Sequence, residues 1–387
     1  MDKPLRVLMV SDVYFPRVNG VSTSIRSFRD ALPAHGVVIR LVVPDYPGAG
    51  AQEGIRRIAS RAVPRDPEDR LMAWGALRDA LHDAATGWAD LVHVQTPFLA
   101  QYAGVGLARR MGIPVVATYH TFFEHYFEHY LPWLPAGLLR RVARRVSRSQ
   151  CNALDAVVVP STPMRDALKR YGVSRPMHVL PTGLPQDAFR RGDGARFRAA
   201  HGIAPTRPLL LFVGRVAFEK NIDFLFDVLR ALQASRPDAL LVIAGEGPAL
   251  PALRARAQRE QPGASVHFVG YLDRENELPD CYASADAFVF SSLTETQGLV
   301  LLEAMAQARP VVALSAMGTA DVLLPASGAF TPRADPAAFA AQVDALLALP
   351  AYARAELGAQ AMAYAQGWSA SEQARRLAAL YRGLVSP

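Results

Sequence analysis

The sequence predicts an α/β protein of two Rossmann-like β/α/β domains facing a cleft, and three observations lead there. Short apolar, β-branched runs alternate with polar or amphipathic stretches of helical length along the whole chain. The runs are continuous in their apolar character, as strands covered on both faces of a parallel sheet must be. They fall into two series, parted by LPQDAFRRGDGARFRAAHGIAPTRP (184 to 208), which has charge, Gly and Pro but no strand. At 387 residues the chain is long for one core and comfortable for two.

The first series is RVLMVSD (6 to 12), VVIRLVVP (37 to 44), DLVHVQ (90 to 95), PVVATYH (114 to 120), AVVVPS (156 to 161) and MHVLPTG (177 to 183). The second is LLLFVGR (209 to 215), ALLVIAGEG (239 to 247), SVHFVGYL (265 to 272), AFVFSS (287 to 292) and PVVALS (310 to 315). The first domain is therefore set at 1–184 and the second at 185–365. No repeat of solenoid period and no low-complexity tract interrupts them.

Composition bounds the function class. With 51% hydrophobic and 20% charged residues the balance is globular, without a disordered tail. Cys151 and Cys281 make no CxxC or metal spacing, so a reduced cytosolic setting is the default. MDKPLRVLMVSDVYF is too short in its apolar run for a signal peptide and reads as a buried first strand. Nothing approaches the roughly eighteen apolar residues that span a bilayer, so a soluble or peripheral protein is expected. The net charge of +7 is almost wholly arginine, with Lys3, Lys169 and Lys220 the only lysines. A GC-rich genome accounts for that composition; a basic balance also favours anionic partners such as nucleotides, nucleic acid or a membrane surface.

In open α/β sheets the ligand lies beyond the carboxyl ends of the strands, so residues just after each strand carry the information. After the first strand come Asp12 and Asn19-Gly20, the latter opening a helix from about Val21. Backbone N–H groups at such a start attract an anion; an ordinary turn capped by Ser22 or Thr23 explains it equally well. His120 ends PVVATYH as a polar tip at the sheet edge. In the second half, GRVAFEKN (214 to 221) puts Arg215 and Lys220 on one short loop, which suits a diphosphate. The alternative is a solvated turn in which Glu219 pairs with one of them. AGEGP (244 to 248) has Leu250 where the dinucleotide fingerprint needs its third Gly, so it gives little support to a dinucleotide. TETQGLVLLEAMA (294 to 306) places Glu295 in a loop and Glu303 within the second turn of a helix beginning at Gly298. The N–H groups of Thr296 to Leu299 make an anion site, and carboxylates are good acceptors for hydroxyls. A sugar nucleotide fits that arrangement.

GRxxxEKN, AGEGP, FVGYL and ETQGLVLLEAMA, in that order and spacing, resemble the family 4 retaining glycosyltransferases of the GT-B fold. The resemblance runs from SDVYFPRVNGVSTSI to GWSASEQARRLAALYRGL, which is similar to the helix (366–387) that crosses back onto the N-terminal domain. It implies that Arg215 and Lys220 hold the donor diphosphate, helped by backbone N–H groups near Gly20 and from Gln297, Gly298 and Leu299. Glu303 would accept the ribose hydroxyls and Glu295 those of the transferred sugar. Tyr271 and Leu272 would flank the base. His120 would sit beside the transferred sugar, with Asp12 on the acceptor side. The family's glycine pair before the first helix is Asn19-Gly20 here, and Gln297 interrupts the apolar residues after Glu295. Neither change removes a charge or a donor. The resemblance further implies a retaining hexosyltransferase in which a leaving-group oxygen takes the acceptor proton. The chain has no Asp-x-Asp, so no metal and no cofactor are expected, the nucleotide sugar being a substrate.

LPAGLLRRVARRVSRSQ (134 to 150) places Arg140, Arg141, Arg144, Arg145 and Arg148 on one helical face and Leu138, Leu139, Val142, Ala143 and Val146 on the other. TFFEHYFEHYLPWLP (121 to 135) precedes it, dense in aromatics. Together they have the makings of an interfacial membrane anchor, or of a surface helix packed on its own domain. SDVYFPRVNGVSTSI, the TYHTFFEHY region and ETQGL are most similar to the bacterial monoglucosyldiacylglycerol synthases. That resemblance implies a UDP-sugar donor, a diacylglycerol acceptor, an anionic membrane surface as partner and a peripheral place on the inner face of the cell membrane, with no nucleic acid. A family 4 enzyme acting on a lipopolysaccharide, lipid-linked or soluble sugar stays open, as does a nucleotide-sugar epimerase or binding protein of the same shape. His125 to His129 also spells H-x-x-E-H, an inverted zinc-protease pattern; it lies in a duplicated FEHY run with no further ligand evident.

Overall fold

The computed structural model describes residues 3–63, 66–120, 136–260 and 265–385. The aromatic stretch 121–135, with its H-x-x-E-H pattern, lies outside the described residues. The chain divides into two compact units, Met1–Gly183 with Ala370–Pro387, and Leu184–Ser369. The boundaries set from sequence were 184/185 and 365/366.

Unit 1 is a seven-stranded parallel sheet. Its strands are β1 (Leu5–Val10), β2 (Val37–Pro44), β3 (Ile55–Ile58), β6 (Leu91–Val94), β7 (Val115–Thr118), β8 (Ala156–Val159) and β9 (Met177–Val179), in the order β3-β2-β1-β6-β7-β8-β9. The central strands β6, β7 and β8 are buried at every position, which is why they read as unbroken apolar runs. Between β3 and β6 lie an antiparallel pair, β4 (Ser60–Val63) and β5 (Asp66–Met72), then helix α2 (Trp74–Ala85). Strands β3 to β5 were not foreseen. Ile55–Ile58 is IRRI, an edge strand whose two arginines break the apolar run, Arg56 reaching Asp83 on α2 at 3.2 Å.

Helix α1 (Gly20–Ala31) covers one face. The helix Ala370–Val385 returns to the same face and buries Ala374, Leu377, Ala378 and Tyr381 against Val7, Met9, Ile25 and Phe28. Burying Leu377 alone removes enough apolar area to stabilise the unit by about 1.5–3 kcal/mol. Tyr381 brings a hydroxyl into that core and must find a partner there. His93 on β6 supplies one through Nδ1, and its Nε2 meets Thr118 Oγ1 at 2.8 Å.

Unit 2 is a five-stranded parallel sheet: β10 (Leu209–Val213), β11 (Leu240–Ala244), β12 (Val266–Gly270), β13 (Ala287–Phe290) and β14 (Val311–Ala313), in the order β12-β11-β10-β13-β14. The reversal of strand order beside β10 puts the switch point of the sheet between β10 and β13. The loops leaving those two strands therefore diverge to opposite faces and leave room for a ligand.

Candidate active site

In unit 2 the loop after β10 runs Gly214 to Asn221 and ends in a short 3-10 turn, Phe218–Lys220. Asn221 is left-handed at φ 54° and opens the helix Ile222–Leu232. Asparagine tolerates that conformation better than most residues. Its side chain donates to the Ser291 carbonyl at 3.2 Å, and Ser291 Oγ donates to the Asn221 carbonyl at 2.8 Å. These two bonds clamp the loop after β10 to the loop after β13. As a result Lys220 Nζ meets Glu295 Oε2 at 2.6 Å, with 19% of each side chain exposed. The alternative partner, Glu219, engages neither cation; its carbonyl accepts from Ser292 and Thr294 hydroxyls, each at 3.3 Å. Arg215 is exposed, with no side-chain partner among the described residues.

The glycines of AGEGP have a different task from a dinucleotide turn. A Cβ on Gly247 would stand 2.4 Å from the Val216 carbonyl oxygen, and one on Gly245 only 2.0 Å from that of Gly214. Backbone bonds from Val216 to Glu246 (2.8 Å) and from Ala249 to Val216 (3.0 Å) join the same loops. The glycines let the two loops touch, and that contact fixes the backbone on either side of Arg215. At the other wall Gly298, at φ +87°, starts the helix Leu299–Ala306. Gly318 supports it from below: a Cβ there would lie 2.0 Å from the Thr296 carbonyl oxygen, and its N–H donates to the Glu295 carbonyl at 2.9 Å.

Glu303 is held by two residues that the sequence reading missed. Arg274 forms an ion pair with Oε1, and the Tyr282 hydroxyl donates to Oε2 at 2.7 Å. Proximity to Glu303 raises the Arg274 pKa. Burial first, and Glu303 second, push the Tyr282 hydroxyl well above its ordinary value, so it stays a donor. A carboxylate has about four lone-pair sites, so two remain on Glu303 for a diol. Arg274 follows FVGYL by two residues, but nothing in its spacing points at Glu303. Of the pair expected at the base, Tyr271 is 63% exposed whereas Leu272 is buried in the unit 2 core. Leu272 therefore serves packing, and Tyr271 alone offers a face.

In unit 1, Asp12 turns inward from the end of β1. It accepts from Thr96 Oγ1 at 2.7 Å and from the Ala100 N–H at 3.2 Å, at the start of the helix Leu99–Met111. Burial raises its pKa to about 6, against the lowering effect of those bonds. Asp12 thus ties a helix start to the sheet edge. Asn19, and neither Ser22 nor Thr23, caps α1: its Oδ1 accepts from the Ser22 N–H at 2.8 Å. Ser22 Oγ is buried without a hydrogen-bond partner among the described residues.

His120 Nε2 and Gln95 Oε1 are 3.1 Å apart, and desolvation lowers the His120 pKa to about 4. The fully buried His93 beneath it is lowered further, to about 3, by burial and then by His120. At neutral pH both rings are uncharged. A cavity of about 400 Å³ opens above them. It is lined by Val13, Val94, Phe98 and Leu154, and by polar side chains that include Asp12, Arg17, Arg70, Gln95, His120 and Gln150.

One wall belongs to the helix Ala136–Asn152, which buries Leu139, Ala143, Ser147 and Gln150. Its five arginines, Arg140, Arg141, Arg144, Arg145 and Arg148, are all exposed. Leu138 and Val142, grouped from sequence on one apolar face with Leu139 and Ala143, part from them in burial and are 51% and 44% exposed. They lie along the solvent edge next to Arg141 and Arg145. Arg144 stacks over Tyr171 at 5.4 Å, and Arg148 lies against Gly172.

The chain matches two family models, one described as Glycosyltransferase Family 4 over residues 18–188 and one as Glycosyl transferases group 1 over residues 193–364. It is 32% identical to an alpha-monoglucosyldiacylglycerol synthase of Streptococcus pneumoniae, over 80% of this chain and 71% of that protein. It is 31% identical to a GDP-mannose-dependent alpha-mannosyltransferase of Mycobacterium tuberculosis, over 83% of this chain and 82% of the other. Among solved structures, the sucrose-phosphate synthase of Thermosynechococcus elongatus aligns with a TM-score of 0.76 at 23% identity, covering 98% of this chain and 99% of that one. HepE from Anabaena, in complex with UDP-glucose, aligns at 0.74 with 17% identity, covering 98% and 100%. The parallel sheets, the clamped glutamates and these relatives agree: the chain belongs to the family 4 glycosyltransferases of GT-B fold.

Proposed function

We propose that the protein is a retaining hexosyltransferase that moves a sugar from a UDP-sugar to a membrane lipid such as 1,2-diacylglycerol, forming an α-glycosyl glycolipid at the inner face of the cell membrane. The observation that carries the acceptor assignment is the apolar cavity of about 400 Å³ above His120 and Gln95. A soluble sugar acceptor would want polar surface all round; here polar side chains such as Asp12, Gln95, His120 and Arg70 line the cavity, but most of the surface it exposes is apolar and suited to hydrocarbon. Two relatives support the reading: the synthase from Streptococcus pneumoniae is named for a glucosyldiacylglycerol, and HepE was solved with UDP-glucose.

Donor binding follows from the unit 2 loops. Without ligand, Lys220 and Glu295 neutralise each other. A diphosphate, with Arg215 beside it, competes for Lys220, and the exchange frees Glu295 to accept hydroxyls of the sugar. Glu303, already fixed by Arg274 and Tyr282, accepts the ribose diol without reorganising. As the glycosidic bond breaks, charge grows on the departing diphosphate, where the two cations stabilise it. The acceptor hydroxyl adds on the same face and gives its proton to a leaving-group oxygen. Neutral His120 serves as a hydrogen-bond partner for the transferred sugar. No group of three or more His, Cys, Asp or Glu side chains is placed to hold a metal among the described residues, and protein cations take the diphosphate in this scheme.

The outer edge of the helix Ala136–Asn152, with Leu138 and Val142 beside Arg141 and Arg145, fits an anionic bilayer surface: leucine and valine enter the acyl boundary while arginines reach phosphates. Among the described residues no helix is long and apolar enough to cross a membrane, so contact of this kind would be peripheral. The test is incubation with a panel of nucleotide sugars, with and without liposomes containing diacylglycerol. Product that forms only with the lipid is expected. Transfer to a soluble sugar, with no lipid product from any donor, overturns it.

One observation favours a second acceptor. Arg17 and Arg70 line the cavity, and Arg70 Nε is buried without a partner among the described residues. An acceptor bearing a phosphate would engage it, as a mannosyltransferase acting on a phosphoinositide would require. Replacing diacylglycerol by phosphatidylinositol in the same assay, with a GDP-mannose arm, separates the two.

A further inference from the structure

Unit 2 has a second cavity, of about 550 Å³, at the other edge of its sheet. Asp286 immediately precedes β13, Arg309 precedes β14 by two residues, and Pro205 lies four residues before β10. All three therefore stand at the amino ends of the strands, whereas Arg215, Lys220, Tyr271 and Glu295 follow strand carboxyl ends. The cavity is separate from the donor loops.

Its walls carry three guanidinium groups, of Arg191, Arg198 and Arg309, and one carboxylate, Asp286. Arg198 is a structural knot. It is buried, donates to the carbonyls of Ser284 (3.0 Å) and Arg207 (2.8 Å), and pairs with Asp286 at 2.9 Å. Asp286 accepts in addition from the Leu209 N–H at 2.9 Å, so its charge is already engaged. Arg309 donates through Nε to the Gln307 carbonyl at 2.9 Å and through Nη1 to that of Ala285 at 3.1 Å. Its Nη2 has no partner among the described residues. Burial, and then the neighbouring Arg191 and Arg198, hold its pKa below the ordinary guanidinium value, against the opposing pull of Asp286.

Arg191 is exposed, and no side-chain partner engages it among the described residues. The segment that presents it is nonetheless fixed. Gln307 accepts from the Gly192 N–H at 2.9 Å and donates to the carbonyls of Ala188 and Arg190 at 2.8 and 2.7 Å. A Cβ on Gly192 would lie 2.2 Å from the Pro279 carbonyl oxygen, so the backbone there is pressed onto the helix Glu277–Ser284. Three cations against one occupied carboxylate leave two positive charges uncompensated around a cavity. Arg309 carries its charge partly buried, where it is costly without a counter-ion; Arg191 stands exposed on the same cavity wall, and guanidinium forks match phosphate oxygens.

We propose that this cavity binds a phosphate-monoester dianion, held between Arg191 and Arg309. The proposal is independent of the donor reading, because none of its residues lies in the donor loops. A free phosphorylated metabolite and the headgroup of a phosphatidate share that chemistry, so the test has two arms. Calorimetric titration with glycerol 3-phosphate at fixed ionic strength uses the full chain carrying Lys220→Ala, which weakens phosphate binding at the donor loops. Saturable binding is expected, weakened about tenfold when the solvent-facing Arg191→Gln is added. In the second arm, phosphatidate vesicles are sedimented with the same two variants. Loss on adding Arg191→Gln in this arm alone assigns the headgroup as the source. No Arg191-dependent binding in either arm overturns the proposal. UDP titration of the unsubstituted chain, run alongside, reads the donor loops separately.

Discussion

The two sheet edges treat ionisable groups in opposite ways. At the unit 2 edge the charges are kept and paired: Lys220 with Glu295, Arg274 with Glu303. At the unit 1 edge the histidines are buried and neutral at pH 7, His120 lowered to about 4 and His93 to about 3, while Asp12, raised to about 6, keeps its charge there by accepting from Thr96 and the Ala100 N–H. The paired edge suits a ligand that brings its own charge and exchanges partners. The unit 1 edge, with its neutral histidines and largely apolar cavity, suits one that brings a hydroxyl and hydrocarbon.

The most severe way to break the paired edge is Lys220→Ala. It removes the cation facing the leaving diphosphate and leaves Glu295 without its partner. A fall in kcat of roughly 10²- to 10³-fold is expected, read by initial rates at saturating donor. An unchanged kcat would remove Lys220 from the chemistry.

The next test concerns the charge that unit 1 keeps, on the solvent side of the helix Ala136–Asn152. Arg141→Glu with Arg145→Glu replaces attraction by repulsion at about 1 kcal/mol per charge near an anionic surface. Sedimentation with anionic vesicles should fall by up to about a thousandfold in partition, while turnover of a detergent-solubilised acceptor is retained.

Glu303→Gln sharpens the comparison at the ribose. Arg274 loses its counter-charge, and KM for the donor is expected to rise about tenfold with kcat largely kept. Glu295→Ala should do the reverse, lowering kcat more than it raises KM.

The unit 1 edge predicts a pH dependence. His93 and His120 are depressed in the folded state, so below the unfolded value near 6.5 the unfolded chain binds more protons and stability falls. Asp12 is raised, so between about 6 and 4 the folded chain holds the extra proton and stability rises as pH falls. Two histidines against one aspartate leave a net loss of about 1.4 kcal/mol per pH unit across that window. Thermal unfolding from pH 7 to 5 should show the falling Tm, and Asp12→Asn should steepen it. A flat profile would mean that these rings are solvated.

The smallest effect belongs to Tyr282→Phe, which removes one of the two supports of Glu303. About 1 kcal/mol is expected, visible as a fewfold rise in donor KM.

The strands were legible because a parallel sheet demands continuous apolar runs, and eleven such runs are there to read. β3 escaped because an edge strand tolerates Arg56 and Arg57, and the Ser60–Met72 pair escaped because prolines and charges hide its period. Glu295, Lys220 and Arg215 were picked out from their places beyond strand ends, and the structure brings Lys220 to Glu295; Glu303 was picked out by the family resemblance. Arg274 and Tyr282 were not, since their role arises only when the β12 loop and the helix Glu277–Ser284 converge on Glu303. Gly318 is of the same kind: what it must fit against, the Thr296 carbonyl, lies twenty-two residues earlier in sequence. Leu138 and Val142 were grouped with Leu139 and Ala143 because a helical wheel separates apolar from charged residues but not buried from exposed ones.

Tyr381 meets His93 across 288 positions of sequence, with the whole of unit 2 between them. During synthesis the second domain is therefore complete before the first has its last helix. Until Ala370–Val385 arrives, His93 lacks its phenol and the face made by Val7, Met9, Ile25 and Phe28 is bare. The domain that begins the chain is the one that finishes folding last, and a chaperone that shields its open face would matter in that interval.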